Sequence, residues 1–244
     1  MSETEPQYYE LIERTWPCAT ATTLGNITLR EGQGGGSRVS CATVDGAFCT
    51  NDLQMAAATM REMGQQPLFM VRDGESELDT ALESLGFVVK DPVFLRAGSV
   101  ERLAATKVPP VTAFEIWPPL AIQRDIWAKA GIGPARLAVM QRADVAKTAL
   151  LGRIDDQPAG VGFVAVSEEV AMVHALEVDA QHRRKGLARY MMHQAAIWAQ
   201  KQNAQQLMVL VTQANQGANL LYQKLGLDVV GAYHYRVLHE DVPQ

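Results

Sequence analysis

The chain has 244 residues, of which 48% are hydrophobic and 20% are charged, and its formal net charge is −5 at pH 7. These values are ordinary for a soluble globular protein and exclude collagen-like and disordered chains. The negative net charge also argues against a general nucleic-acid binder, because such a protein needs a basic face to neutralise phosphates.

The cysteine content and the N-terminus indicate the cellular setting. Cys18, Cys41 and Cys49 form neither an even set nor a C-x-x-C pair, so we expect reduced thiols and no metal site. The first ten residues are acidic and polar, and no apolar run approaches the length of about 18 residues that a membrane span needs. The sequence therefore predicts a cytoplasmic protein that does not associate with membranes.

The N-terminal region begins with short elements. Residues 7–15 are predicted to form a helix, and 24–32 alternate as in a strand. The glycine-rich segment 32–36 is interpreted as a hairpin turn, because no Gly-Lys-Ser/Thr follows as a phosphate loop would require. The next segment, 37–44, is predicted to be a second strand.

The following region alternates between helix and strand and is related to the C-terminal half. Helices are predicted at 52–64 and 76–85, and strands at 67–72 and 87–96. A shift of 140 positions aligns this region with the C-terminal half over more than thirty residues without a gap, so that Leu85-Gly86-Phe87 falls on Leu225-Gly226-Leu227. The repeated order predicts an internal duplication.

A linker is expected at 99–110, where the chain is rich in small and charged residues and ends in two prolines. It would separate an N-terminal domain, 1–98, from a C-terminal domain, 111–244. In the second domain, 147–154 and 159–167 are predicted to form a hairpin around the turn at 155–158.

The segment 170–190 is predicted to be a strand, a basic loop and the start of a helix. The start of a helix leaves backbone N–H groups unpaired and carries partial positive charge, which favours an anion. Gly186 and Ala188 remove side-chain bulk there, and the Arg-Arg-Lys run at 183–185 adds positive charge. A pyrophosphate would fit this combination.

Two motifs carry a resemblance to a known family. Arg183-x-x-Gly186-x-Ala188 resembles the acyl-CoA signature of the GNAT superfamily, the acetyl-CoA-dependent N-acetyltransferases. Residues 215–227, Asn-x-x-Ala-x-x-Leu-Tyr-x-x-x-Gly-Leu, resemble the second signature of that family. The resemblance implies an α/β fold of two GNAT-like domains, each with a mixed, mostly antiparallel twisted sheet flanked by helices.

The resemblance also implies the reaction, which is transfer of an acetyl group from acetyl-CoA to a primary amine of a small molecule or a peptide, without a metal. Tyr222 matches the tyrosine that protonates the departing sulfur or donates a hydrogen bond to it. His174 resembles a histidine that removes the amine proton. Glu177, which strand alternation places on the other face, is the weaker candidate, and a water chain is a third possibility.

Acetyl-CoA would be held mainly by the backbone. Backbone groups of Leu176 and Val178 would pair with the pantetheine arm as an added strand, Asn215 would contact the same arm, and the backbone of 183–189 would hold the pyrophosphate. The residues predicted to bind acetyl-CoA are Leu176, Val178, Arg183, Arg184, Lys185, Gly186, Leu187, Ala188, Arg189 and Asn215.

The first copy lacks these features. In the shifted register, Leu82 falls opposite Tyr222, and Thr-Val-Asp at 43–45 falls opposite the basic run. This predicts a degenerate GNAT-like domain that supports the second one.

The acceptor remains open. The candidates for its pocket are Trp117, Trp127 and Ile132 and, in the last predicted strand, Tyr233, His234 and Tyr235. Alternate residues of a strand face opposite ways, so not all of the last three can line the pocket. Two other functions also stay open, a non-catalytic CoA-binding regulatory or scaffold module and, less favoured because of the acidity, a nucleic-acid-binding protein that uses the basic loop.

Overall fold

A computed structural model describes residues 5–238, and the side chains from residue 8 onward. The helices are α1 (Glu5–Thr15), α2 (Ser37–Ser40), α3 (Thr50–Glu62), α4 (Ser76–Ser84), α5 (Val100–Ala104), α6 (Ala121–Lys129), α7 (Pro134–Arg142), α8 (Leu187–Lys201) and α9 (Gln216–Lys224). The strands are β1 (Thr20–Leu24), β2 (Ile27–Glu31), β3 (Thr43–Val44), β4 (Leu68–Arg72), β5 (Val88–Ser99), β6 (Ala113–Ile116), β7 (Ala146–Ile154), β8 (Gln157–Ser167), β9 (Val170–Val178), β10 (Gln206–Thr212) and β11 (Asp228–Val237).

The described chain divides into two compact units. The larger unit contains residues 5–17, 95–211 and 215–230, and the smaller unit contains 18–94, 212–214 and 231–238. The strands β5 and β11 each contribute residues to both units. The smaller unit is therefore completed by residues from the end of the chain, and the larger unit by residues from its beginning.

The larger unit is built on a mixed sheet. β6, β7, β8 and β9 are antiparallel neighbours in that order, and β10 then pairs with β9 in parallel. α8 packs against β7, β8 and β9, whereas α1 and α6 pack against β8 and β9. The helices lie on opposite faces, because Gly160 of β8 contacts Met191 of α8 while Phe163 contacts Trp16, the residue after α1.

The smaller unit contains two sheets. β1, β2 and β3 form an antiparallel sheet, and the part of β11 from Tyr233 to Val237 pairs antiparallel with β4. β5 lies on the other side of β11 from β4. The core includes large side chains that are fully buried, among them Leu53, Met60, Phe69 and Leu82. The α/β class predicted for the chain, with sheets flanked by helices, is confirmed.

Two strand predictions in this unit are wrong in detail. The predicted strand at 24–32 is a hairpin, because Gly25 takes the left-handed conformation with φ +59° and turns the chain between β1 and β2. The predicted strand at 37–44 begins instead as the helix α2 and becomes extended only in β3. Val39 is buried and anchors that helical turn, which the alternating sequence does not indicate.

The segment predicted as a linker, 99–110, contains the helix α5. This helix packs against α8, and the carbonyl of Leu103 lies 2.9 Å from Nδ1 of the buried His193. The proposed division into functional domains at 98 and 111 stays a prediction.

In the larger unit, an arginine joins the last part of β5 to the second signature segment. Arg96 donates through Nε to Asn219 Oδ1 at 3.1 Å and through Nη1 to the carbonyl of Leu227 at 3.1 Å. These bonds connect β5, α9 and the residue that precedes β11. Arg96 belongs to the first copy of the duplicated sequence, whereas both acceptors belong to the second.

In the smaller unit, the residues 140 positions away make the corresponding contacts. Arg236 donates through Nε to Asp79 Oδ1 at 2.7 Å and through Nη1 to the carbonyl of Phe87 at 3.1 Å. His234 Nε2 lies 2.7 Å from the same carboxylate oxygen. Each copy of the sequence thus supplies the arginine that ties the helix and strand of the other copy, which supports the predicted duplication.

We expect the Asp79→Asn variant to lose about 1 kcal/mol of stability at pH 7, because a partly exposed charged hydrogen bond is replaced by a neutral one. The hydrogen bond from Arg236 is the main reason that the pKa of Asp79 lies below its ordinary value of 3.8. The charged form therefore stabilises the fold above pH 3.8, and this contribution is lost as the pH falls through the lowered pKa.

Urea unfolding at pH 7 and at about pH 3 measures the difference between the wild type and Asp79→Asn. The difference should shrink at the lower pH. The neutral counterpart in the larger unit supplies the control, since Asn219→Ala should cost similar stability at both pH values. An equal loss for Asp79→Asn at both pH values would show that the carboxylate charge contributes nothing.

Candidate functional site

The second half of β9 is irregular. β9 and β10 pair from Val170 opposite Gln206 to Val173 opposite Val209. On the other edge, β9 pairs with β8, where Phe163 lies opposite His174 and Val161 lies opposite Glu177. The two β8 residues are two positions apart, whereas the two β9 residues are three positions apart. β9 therefore contains one extra residue, and Ala175 takes the left-handed conformation with φ +50°. This is a β-bulge.

The bulge changes which side chains share a face. Since β8 partners two positions apart lie on one face, His174 and Glu177 lie on the same face of the sheet. The prediction that Glu177 alternates to the other face is therefore wrong, because simple alternation does not allow for the extra residue. The pairing of β9 with β10 ends at Val173, so the backbone after the bulge is not part of that pairing.

A cavity of about 640 Å³ opens next to this part of β9. Its volume is typical of a pocket for a small molecule or a cofactor. The residues that line it come from the end of β9, the basic loop, the start of α8 and α9: Leu176, Glu177, Val178, His182, Arg183, Arg184, Gly186, Leu187, Ala188, Arg189, Asn215, Gly217, Ala218, Leu221 and Tyr222. All the residues predicted to bind acetyl-CoA are among them except Lys185.

The basic loop leads directly into α8. A 3₁₀ turn at Ala180–His182 precedes it, and Gly186 caps the helix with φ +86°, a conformation that favours glycine. Arg183 Nε donates to the carbonyl of Val178 at 3.0 Å, so this side chain braces the end of β9. Lys185 instead forms an exposed ion pair with Asp155 at 3.5 Å, which directs its charge away from the cavity.

Tyr222 lies in the wall of the cavity and is almost completely buried, with 7% of its surface exposed. Burial, with a smaller contribution from the negative charge of Glu177, raises the pKa of Tyr222 to about 12. The phenol is therefore protonated at neutral pH and can donate a hydrogen bond. Asn215 positions α9, because its side-chain oxygen accepts a hydrogen bond from the backbone N–H of Ala218 at 3.1 Å.

Glu177 is half-buried in the same cavity. Burial raises the pKa of its carboxyl group, and the positive charges of Arg183 and Arg136 oppose that shift. A raised pKa makes the ionised carboxylate a stronger base than an exposed glutamate. The structure thus brings together a protonated phenol and a carboxylate, with a basic loop at the same cavity.

His174 lies elsewhere. Its side chain is 4% exposed, and Nε2 lies 3.0 Å from the hydroxyl of Thr15. The ring also packs against the indole of Trp16, with 5.0 Å between ring centroids. Within the chain from residue 5 to 238, the structure does not bring His174 to the cavity that Tyr222 lines.

The acetyltransferase (GNAT) family model matches residues 115–227, the segment that contains every residue of this cavity. Residues 115–227 form a GNAT acetyltransferase domain. The resemblance to the GNAT family that the sequence indicated is thereby confirmed. Family and fold together support acetyl transfer as the general reaction.

Solved structures similar to the whole chain include a GCN5-related N-acetyltransferase from Kribbella flavida, with a TM-score of 0.74, 16% identity and coverage of 99% of this chain and 98% of the other. A functionally unknown conserved protein from Staphylococcus epidermidis ATCC 12228 has a TM-score of 0.68 at 10% identity, covering 91% and 94%. A tandem GNAT protein from the clavulanic acid biosynthesis pathway has a TM-score of 0.60 at 11% identity, covering 88% and 79%.

At these identities the structural likeness shows the fold alone, and it is consistent with two GNAT-like halves. No curated protein matches the sequence. Within residues 5–238, no helix is long and apolar enough to span a bilayer, and no group of three or more His, Cys, Asp or Glu residues is arranged to hold a metal ion.

The structure places the candidates for the acceptor pocket in different surroundings. Trp127 is fully buried, and Ile132 is 4% exposed. Trp117 packs against Phe163, with 5.6 Å between ring centroids. Tyr233 and Tyr235 are buried in the smaller unit. None of these residues lines the cavity described above.

Sequence reasoning missed two features of the GNAT site. His182 lines the cavity, and its Nδ1 atom is buried without a hydrogen-bond partner among the residues described. Its position directly before Arg183 is the only sequence signal that could have identified it. Trp127 donates from its indole N–H to the carbonyl of Ala175 at 2.8 Å, a contact that no sequence pattern indicates.

The smaller unit contains a counterpart of the GNAT cavity, with a volume of about 310 Å³. A shift of 140 positions places its lining residues Gly46, Phe48 and Glu75 on Gly186, Ala188 and Asn215. The phenyl ring of Phe48 thus stands where the larger cavity has a methyl group.

An arginine next to this smaller cavity bonds to two of its lining residues, Val44 and Glu75. Arg72 donates to the carbonyl of Val44 and to Asp45 Oδ1, each at 2.8 Å, and to Glu75 Oε1 at 2.6 Å. The aligned position in the second copy is Thr212, which has no charge. The end of β4 is thereby tied to the end of β3 and to the residue that follows it.

Proposed function

We propose that the protein transfers an acyl group, with acetyl as the expected donor group, from acyl-CoA to a primary amine of a small molecule or a peptide. The observation that carries this proposal is the meeting of Tyr222, Glu177 and the basic loop 183–189 at one cavity of the GNAT domain. The three features correspond to what the reaction needs: a hydrogen-bond donor for the leaving sulfur, a base for the amine and a site for the pyrophosphate.

In the reaction, the neutral amine attacks the thioester carbonyl and forms the C–N bond, and the C–S bond then breaks. The amine must lose a proton before attack and a second one as the amide forms, while the sulfur leaves as a thiolate that solvent can protonate. An acceptor with a lysine-like pKa of about 10.4 is almost fully protonated at neutral pH. The protein therefore has to supply a base near the carbonyl.

Glu177, rather than His174, is the proposed base. Glu177 lines the cavity, and its carboxyl pKa is raised mainly by burial, whereas His174 contacts Thr15 and Trp16 in the core. The active form is the carboxylate. Activity should therefore rise with pH as Glu177 ionises, over a range above the ordinary glutamate pKa of 4.5.

Tyr222 is the proposed partner of the sulfur. A thiol has an ordinary pKa of about 8.5, and the pKa of Tyr222 is about 12, so proton transfer from the phenol to the thiolate is unfavourable. The phenol instead stabilises the developing negative charge by donating a hydrogen bond in a site from which water is largely excluded. This contribution requires Tyr222 to stay protonated, which its burial ensures.

Several parts of the cavity would hold the donor. The backbone of Leu176 and Val178 follows the bulge, where the registered pairing with β10 has ended, so it can accept an added strand such as the pantetheine arm. The amide of Asn215 faces the same cavity. The pyrophosphate would bind the N–H groups at the start of α8, with Arg184 and Arg189 adding positive charge.

The smaller unit is proposed to support the GNAT domain without binding acyl-CoA itself. Phe48 reduces the space of its cavity, and Asp45 occupies the position that aligns with Lys185. A pyrophosphate would there meet carboxylates instead of cations.

The donor site is tested by two isosteric variants, Gly186→Asp and Gly186→Asn, in a calorimetric titration with acetyl-CoA. Asn and Asp both tolerate the left-handed conformation, and a side chain at Gly186 meets open space apart from a Tyr190 ring atom at 3.9 Å. We expect micromolar binding, about −8 kcal/mol, for the wild type. Gly186→Asp should weaken binding at least tenfold more than Gly186→Asn, because it adds a negative charge beside the pyrophosphate.

Equal affinities of the Asp and Asn variants would contradict the placement of the pyrophosphate. Absence of acetyl-CoA binding by the folded wild type would overturn the acyltransferase proposal. Binding without release of free CoA across a panel of aliphatic amines, amino acids and lysine-containing peptides would instead identify a CoA-binding regulatory or scaffold module.

The chemical roles are tested by Glu177→Gln and Tyr222→Phe, with release of free CoA as the measurement. Each change should lower kcat about 100-fold at pH 7 and leave the affinity for acetyl-CoA within a few-fold of the wild type. Glu177→Gln should also remove the rise of kcat/KM with pH that the carboxylate produces, because the amide does not ionise.

The exposed residue Glu169 provides the control. It lies in the turn between β8 and β9, at the end of β9 that does not line the cavity, so Glu169→Gln should keep wild-type kinetics. A pH profile of Glu177→Gln that matches the wild type would rule out Glu177 as the base. In that event a titrating water chain would be the next candidate.

A further inference from the structure

The β-bulge in β9 needs a source of stability. Ala175 has φ +50°, a conformation that L-residues other than glycine, asparagine and aspartate seldom adopt. The bulge also interrupts the ladder between β8 and β9. A strand with this sequence would therefore favour the regular register unless a neighbouring group stabilised the irregular one.

The structure provides such a group in Trp127 of α6. Its indole N–H donates to the carbonyl of Ala175 at 2.8 Å, and the side chain has no exposed surface. α6 packs against β8 and β9, so the indole is held in a fixed position above the bulge. The hydrogen bond is partly buried. Since a partly buried carbonyl without a partner is unfavourable, loss of the indole donor would favour a backbone conformation that satisfies the carbonyl in another way.

The conformation of Ala175 decides where Glu177 points. With the extra residue, Glu177 lies opposite Val161 and lines the cavity. In a regular strand that starts from the pair of His174 and Phe163, Glu177 would lie on the other face. The regular strand would also continue its pairing past Val173 and take up the backbone groups that an added strand needs.

We propose that Trp127 is a positioning residue for acyl transfer, which acts by holding the bulge at Ala175 so that Glu177 and the free edge of 176–178 face the donor cavity. This inference deepens the proposed function and rests on Glu177 as the base. Trp127 touches neither the donor nor the acceptor in this scheme. Its role is carried by one hydrogen bond, in addition to its packing in the core.

The test separates the hydrogen bond from the packing. Trp127→Phe retains an aromatic ring and removes the indole N–H. Trp198→Phe is the matched control, because Trp198 is a buried tryptophan of α8 that does not line the cavity. The double variant Trp127→Phe with Ala175→Gly is the rescue, because glycine adopts a positive φ without the cost that alanine has.

Two measurements are made on the wild type and on all three variants. The first is kcat and the pH profile of kcat/KM, from release of CoA with an amine that the wild type acetylates. We expect Trp127→Phe to lower kcat at least tenfold and to lose the part of the pH profile that depends on Glu177. The double variant should recover kcat to within about threefold of wild type, and Trp198→Phe should keep both the rate and the profile.

The second measurement is amide hydrogen exchange of residues 174–178, which does not depend on activity. Trp127→Phe should change the exchange of this segment at least fivefold, and the added Ala175→Gly should return it towards the wild-type rate. Trp198→Phe should leave it unchanged. If Trp127→Phe changed the exchange of residues 174–178 but the wild type had no acyltransferase activity, Trp127 would be shown to stabilise the bulge and the proposed function would be wrong.

The opposite result would overturn the inference. If Trp127→Phe retained the wild-type pH profile and exchange of 174–178, and differed only by a loss of thermal stability similar to that of Trp198→Phe, Trp127 would be a core residue alone. Failure of Ala175→Gly to restore kcat and exchange would likewise show that the positive φ of residue 175 is not what Trp127 maintains.

Discussion

One irregular residue determines how the site is built. The left-handed backbone of Ala175 adds a position to β9, turns Glu177 to the face that His174 occupies and ends the simple alternation of the strand. The pairing of β9 with β10 stops at Val173, and the proposed pantetheine site lies along the backbone that follows. The bulge therefore sets both the face of Glu177 and the course of the strand edge that lines the cavity.

A second constraint is the exchange of strand ends between the two copies of the sequence. Arg96 of the first copy bonds to Asn219 and Leu227 of the second, and Arg236 of the second copy bonds to Asp79 and Phe87 of the first. Both arginines tie a helix to the strand that follows it. Because these contacts are reciprocal, each compact unit depends on residues from both copies. The first copy thus contributes to both units although it lacks the proposed chemical residues.

The sequence was sufficient to predict the parts of the site whose structure depends on local sequence patterns. The helix start at Gly186 and the signature around Tyr222 were predictable because a glycine cap, a basic run and an amphipathic helix each have a local chemical cause. The bulge was not predictable, since Ala175 has no intrinsic preference for a positive φ and its conformation depends on Trp127, 48 positions away. The predicted face of Glu177 was wrong for that reason. The helix α5 was not predicted, because its stability comes from packing on α8.

The two cavities show how one duplicated framework can keep a site in one copy only. Gly46 and Gly186 hold aligned positions, yet Asp45 replaces Lys185 and Phe48 replaces Ala188. Arg72 then bonds to Val44, Asp45 and Glu75 and ties the end of β4 to the end of β3. The positive charge of Arg72 could attract a phosphate, but the carboxylates of Asp45 and Glu75 neutralise it. An arginine can bind an anionic ligand when its charge is available. In the first copy Arg72 is instead a structural clamp, because its charge is satisfied within the protein.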